Sequence, residues 1–74
     1  MCKIKFKTTR DEVVILMMKN VLYLMAKKYK PNDPYELSVS FVDGSLTKFT
    51  ITAAEFENLK KQLEEYDIKI LKEE

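Results

Sequence analysis

Lys3, Lys5 and Lys7 alternate along "MCKIKFK", and Lys48 and Lys69 recur in the later alternating runs "SLTKFTI" and "DIKIL". Lysines at every second position of a strand share one face. Such a face makes charge contacts with phosphates and reads no base, so these five are the candidate nucleic-acid contacts. A solvated face that discourages edge pairing is the plainer role for the same row.

Other chemistry is thinly equipped. Cys2 is the single cysteine, either a thiol beside Lys3 or a small buried apolar residue where a strand begins. Asp11, Glu12, Asp33 and Glu36 are scattered acids near expected helix or strand starts, and local capping accounts for the first two. The chain has no histidine, which removes the commonest general base, the Ser-His-Asp triad and the usual zinc ligand. Gly44 is its single glycine, so no glycine-rich phosphate cradle can form. Arg10, the sole arginine, allows at most one bidentate clamp. The expectation is a non-enzyme with no catalytic, cofactor-binding or metal site.

The totals agree with that modest inventory. Residues 1–74 make one small domain, 46% apolar and 34% charged, with 13 basic against 12 acidic residues and a net charge of +1. No global field draws such a chain to nucleic acid or membrane. One cysteine fits a reducing compartment. The opening residues alternate and then turn polar, unlike a signal peptide, so a soluble cytoplasmic protein is expected.

The elements that must position these residues follow from periodicity. "MCKIKFK" reads as a half-buried strand with Cys2, Ile4 and Phe6 inward. "TRDE" has the form of a capping box, Thr9 to Glu12, and opens an apolar helix from about Arg10 to Tyr29. Tyr23, Lys27, Lys28, Tyr29 and Lys30 gather cations and rings at its end, where the helix dipole favours them, before "KPNDP" stops it. "YELSVSFVDGSLTKFTI" is a hairpin. A three-residue loop, Val42-Asp43-Gly44, keeps its apolar faces together by pairing Val39 with Thr47, Leu37 with Phe49 and Tyr35 with Ile51, with Gly44 left-handed. "TAAE", Thr52 to Glu55, caps a second helix whose stripe is Phe56, Leu59, Leu63 and Tyr66. A short strand with Ile68 and Ile70 inward closes the chain.

The resulting order, β-α-β-β-α-β, resembles the ferredoxin-like fold, an α+β sandwich with two helices on one face of a four-stranded antiparallel sheet. The resemblance is one of topology and spans the whole chain. It comes without the motifs of that fold's usual tenants: no Cys-x-x-Cys follows the first strand, no glycine-bearing loop precedes the first helix, and the expected open face shows no aromatic ring. Fold alone assigns no activity.

The first helix carries the functional lead. On a helical wheel the apolar residues of "VVILMMKNVLYLMA" span an arc of roughly 200°, where a one-sided helix needs little more than 100°. Val14, Met18, Val21 and Met25 suffice to cover a sheet. Ile15, Leu22 and Tyr29 line one remaining flank, Val13, Met17 and Leu24 the other, and Leu16 falls on the polar side. Ile15, Leu22, Tyr29, Leu16, Met17 and Leu24 are therefore the expected partner interface. The second strand, "YELSVSFV", is expected at a sheet edge with Glu36 as its single charge, open to pairing with its own copy. Together these predict a protein-protein interaction module or small regulator, of the kind a phage or plasmid encodes. Its expected partner is itself, as a homodimer through the first helix or the second strand, or another protein. The alternative is a nucleic-acid-binding accessory protein using the five lysines.

Overall fold

Val13, Val14 and Ile15 decide the architecture. Three consecutive β-branched residues lose side-chain freedom in a helix and pack well on a pleated surface. The computed structural model, which describes residues 2–32 and 34–73, makes them a strand. Asp33 lies outside the described residues.

Among the described residues the order is β1 (Lys3–Lys7), β2 (Val13–Met17), a 3₁₀ turn (Met18–Asn20), β3 (Val21–Lys27), β4 (Tyr35–Phe41), β5 (Leu46–Ile51), α1 (Ala53–Glu65) and β6 (Leu71–Glu73). One helix and six strands in two sheets replace the expected two-helix ferredoxin-like sandwich. The expected first helix is β2 and β3 joined by the 3₁₀ turn. Its overly wide apolar arc is thereby explained. Residues that crowd too much of a helix divide by alternation between two faces of two strands, and Leu16, Val21, Leu24 and Ala26 are the ones buried.

The expected capping box is a hairpin loop. Thr8, rather than Thr9, supplies the hydroxyl: its Oγ1 accepts from the N–H groups of Arg10 and Glu12, each at 3.3 Å. Asp11 turns the chain with φ +62°, a left-handed conformation that Asp tolerates better than most. The loop is tied to the other sheet by the Thr9 N–H, which donates to the Thr50 carbonyl at 2.9 Å.

The large sheet runs β5-β4-β3-β6, with β3 and β6 parallel and the other pairs antiparallel. The β4–β5 register is the expected one, Tyr35 opposite Ile51, Leu37 opposite Phe49 and Val39 opposite Thr47. Phe41 and Ser45 close the three-residue loop, and Gly44 takes φ +92° with its N–H on the Phe41 carbonyl at 3.0 Å. Asp43 accepts from both the N–H and the hydroxyl of Ser45, at 2.8 and 2.6 Å, and these bonds lower its pKa. The strand "YELSVSFV" departs from expectation in position: β4 lies between β3 and β5, so both its edges are used.

α1 begins where the sequence places it. Thr52 accepts from the Glu55 N–H at 3.2 Å, and Phe56, Leu59 and Leu63 form the buried stripe. Tyr66 does not extend that stripe; it is the C-cap and is exposed. The helix ends in a Schellman motif, with Ile68 N–H donating to the Leu63 carbonyl at 2.9 Å and Asp67 N–H to that of Glu64 at 3.1 Å. Asp67, at φ +53°, stands where glycine is usual. The closing strand starts later than expected. Ile68 and Ile70 are half-buried against the core in the connection, and pairing with β3 begins at Leu71.

The core lies between one face of the large sheet and a cover made jointly by α1 and the β1–β2 hairpin. Ile4, Phe6 and Leu16 from the hairpin join Phe56, Leu59 and Leu63 over Leu24, Ala26, Leu37, Val39 and Ile51. Phe6 meets Phe49 edge-on at 5.5 Å, and Tyr35 stacks on Phe56 at 4.1 Å between centroids. Cys2, expected inward, is exposed; it precedes β1.

Candidate functional site

The two edges of the small sheet have opposite fates. On the β1 side, α1 supplies side chains where a neighbouring strand would supply backbone. Gln62 accepts from the Lys5 N–H at 2.9 Å and donates to the Lys5 carbonyl at 2.7 Å, as a paired strand residue does. Two turns earlier, Glu55 accepts from the Lys7 N–H at 2.8 Å. Glu55 therefore serves β1 where a capping box would turn it back to Thr52. Replacing Gln62 by Ala leaves two backbone groups to water, at a cost of about 1 kcal/mol, measurable as a lower urea midpoint with an unchanged m-value.

That same geometry orients β2. Both polar groups of Lys5 point away from β2, so the Lys5–Ile15 pair is a non-hydrogen-bonded one. The N–H and C=O of Ile15 then also point away from β1, toward the outer edge. Lys7–Val13 and Lys3–Met17 share this parity, two residues away on either side. Thr8 N–H bonding to the Glu12 carbonyl and Met18 N–H to that of Cys2 agree with it. No strand pairs with this edge among the described residues. Val13 and Ile15 thus present open donors and acceptors, and Met17 an open donor; its carbonyl, at the N-cap of the 3₁₀ turn, is taken by the first bond of that turn.

Their side chains share the face turned from the core, beside the lysine row. Val13 is 54% and Ile15 55% exposed, and Met17 is half-buried. The strand "VVILM" carries no charge. Among the described residues neither an inward charge nor a proline protects this strand, and no further strand pairs with it.

The expected interface is partly dispersed. Ile15 is on this edge and Met17 ends it. Leu16 (5% exposed) and Leu24 (0%) belong to the core, because strand alternation turns them inward where a helix would have turned them out. Leu22 is exposed because it is the extra residue of a β-bulge: Val21 faces Phe41 and Tyr23 already faces Ser40. Tyr29 is exposed beyond the opposite end of β3, under the ammonium of Lys27 at 4.8 Å. Leu22 and Tyr29 therefore form no strip with Ile15.

The five lysines are also divided. Lys3, Lys5 and Lys7 share the outer face of β1. Lys48 is on β5 of the other sheet, with its ammonium 3.7 Å from Glu36, and Lys69 lies in the α1–β6 connection, 3.9 Å from Asp67. The far face of the large sheet does carry a ring, contrary to expectation: Tyr23, with Lys72 5.1 Å above it.

Comparison with known proteins finds no matching protein family, no matching curated relative and no matching solved structure. Chemistry must be read from the residues in place. Among the described residues no group of His, Cys, Asp or Glu is arranged to hold a metal ion. The groove between β1 and α1, about 390 Å³, is lined by Lys5, Phe6, Lys7, Glu55 and Gln62 among others, and its carboxylate and amide are already engaged by β1. No helix among the described residues is long and apolar enough to cross a membrane. The edge of β2 is what sequence reasoning missed. The run of three β-branched residues after a Thr- and Asp-bearing loop is the signal that points to it.

Proposed function

We propose that this protein is a non-enzymatic protein-interaction module that accepts an extended segment as an added strand on the outer edge of β2. One observation carries the reading: the backbone groups of Val13, Ile15 and Met17 face outward beside exposed apolar side chains, while the opposite edge of the same hairpin is closed by Glu55 and Gln62. Added strands gain affinity from main-chain bonds and specificity from alternate side chains. The lysine alternative has less support, since Lys48 and Lys69 stand on other elements beside acids.

Selection from a displayed library of random linear peptides tests this. Enriched sequences should be β-branched or aromatic and free of proline. Their affinity should fall at least about tenfold, or about 1.4 kcal/mol, for Ile15→Pro. That variant deletes an outward N–H and leaves the β1–β2 bonds in place, as edge positions allow. Equal binding to Ile15→Pro, or no enrichment of extended sequences, counts against the reading.

A further inference from the structure

We infer that the strand added at this edge is β2 of a second copy of the chain, antiparallel to the first about a two-fold axis at Ile15. The inference rests on the strand-addition reading above and specifies its partner.

The register of β2 is self-complementary. With Ile15 opposite its own copy, Val13 meets Met17 on the outer face and Val14 meets Leu16 on the inner one, so apolar residues meet on both faces. Ile15, Val13 and Met17 are the residues whose backbone groups point outward, so the Ile15 pair exchanges both its N–H···O=C bonds and each Met17 N–H donates to the Val13 carbonyl of the other copy, the Met17 carbonyl being held in its own 3₁₀ turn. The composite sheet reads β1-β2-β2-β1. It is isologous and closed, so pairing stops at two copies.

Charge favours the same occupant. "VVILM" offers an approaching strand no charge to match, which suits an uncharged segment, and among the described residues β2 is the one strand free of both charge and polar side chains. In the dimer the two lysine rows lie on the outer strands, three strand spacings or roughly 14 Å apart, beyond a screening length of about 8 Å. Self-association through other edges is less favourable. β1 is closed by α1, β5 carries Lys48, and β6 is three residues long.

The test uses the full chain, with sedimentation equilibrium and amide hydrogen exchange over a dilution series. The expected result is a monomer-dimer equilibrium in which the Ile15 and Met17 amides gain protection with concentration. The dimer dissociation constant should rise at least about tenfold in both Ile15→Pro and Ile15→Lys, with the circular dichroism of the wild type retained. In a Cys2→Ser background, Ile15→Cys should cross-link on oxidation, since paired Cα atoms there lie about 5.5 Å apart. Val42→Cys, at an exposed loop position, should not. A monomer at every concentration whose Ile15 amide exchanges freely overturns the second copy as partner and leaves the open edge standing. An Ile15 amide protected in the dilute monomer overturns both. A dimer that survives Ile15→Pro and Ile15→Lys uses another surface and overturns the inference.

Discussion

Phe56→Ala is expected to leave much of the protein unfolded at room temperature. Phe56 is 1% exposed, stacks on Tyr35 at 4.1 Å and carries the Lys60 ammonium 5.3 Å over its ring. Truncating a buried phenylalanine costs about 3–5 kcal/mol, from lost transfer energy and the cavity left behind. A domain of this size has a total stability of order 5 kcal/mol, so the loss consumes most of it. The position makes matters worse. Phe56 sits in the first turn of α1, four residues after the Thr52 cap, and α1 in turn holds the β1 edge through Glu55 and Gln62. Urea titration followed by circular dichroism reads the effect. Tyr66→Ala, on the exposed end of the same expected stripe, is the control and should shift stability by less than about 0.5 kcal/mol. A Phe56→Ala protein as stable as wild type would show that α1 does not dock on β4 as described.

Leu24→Ala is expected to cost about 2–5 kcal/mol, while Leu22→Ala changes stability by less than about 0.5 kcal/mol. Leu24 is fully buried in β3, opposite Val39 on β4 and Leu71 on β6. Leu22, two residues earlier, is the bulge residue and is 52% exposed. The pair discriminates strand from helix. On a helix spanning this segment both leucines would lie on flanks beyond the sheet contact, and neither truncation would be severe. Equal, mild effects in thermal and urea unfolding would sink the two-strand description of residues 13–27.

The first of these predictions rests on a part of the fold that was legible in the sequence, the second on a part that was not. The alternation of "MCKIKFK" became β1 with Ile4 and Phe6 inward. The β4–β5 register, the loop Val42-Asp43-Gly44 and the left-handed Gly44 could all be worked out from which pairing sets Leu37 opposite Phe49 and Tyr35 opposite Ile51 and keeps Lys48 off the apolar face. The start of α1 at Thr52 and its stripe from Phe56 to Leu63 were equally readable. In each case the deciding interactions are local: a cap three residues away, a turn of fixed length, neighbours across a short hairpin.

The failures have one cause as well. "TRDE" satisfies the local rule for a helix start, and apolar residues at every position of "VVILMM" fit a helix or a strand. Burial against distant residues breaks the tie. Leu24 finds Val39 and Leu71, Leu16 finds the core under α1, and the strands gain backbone partners on β1, β4 and β6. Once the segment is two strands, β4 is forced inside the sheet and the surplus apolar surface is mostly consumed.

By itself, then, the amino-acid order determined the faces of β1, the β4–β5 hairpin and α1, because those depend on neighbours within a few residues. Which strand edges are closed and which is left open was decided only in three dimensions. Edge closure and strand order are set by contacts between segments far apart in the chain, such as Gln62 with Lys5 and Leu24 with Leu71, and no local pattern records them.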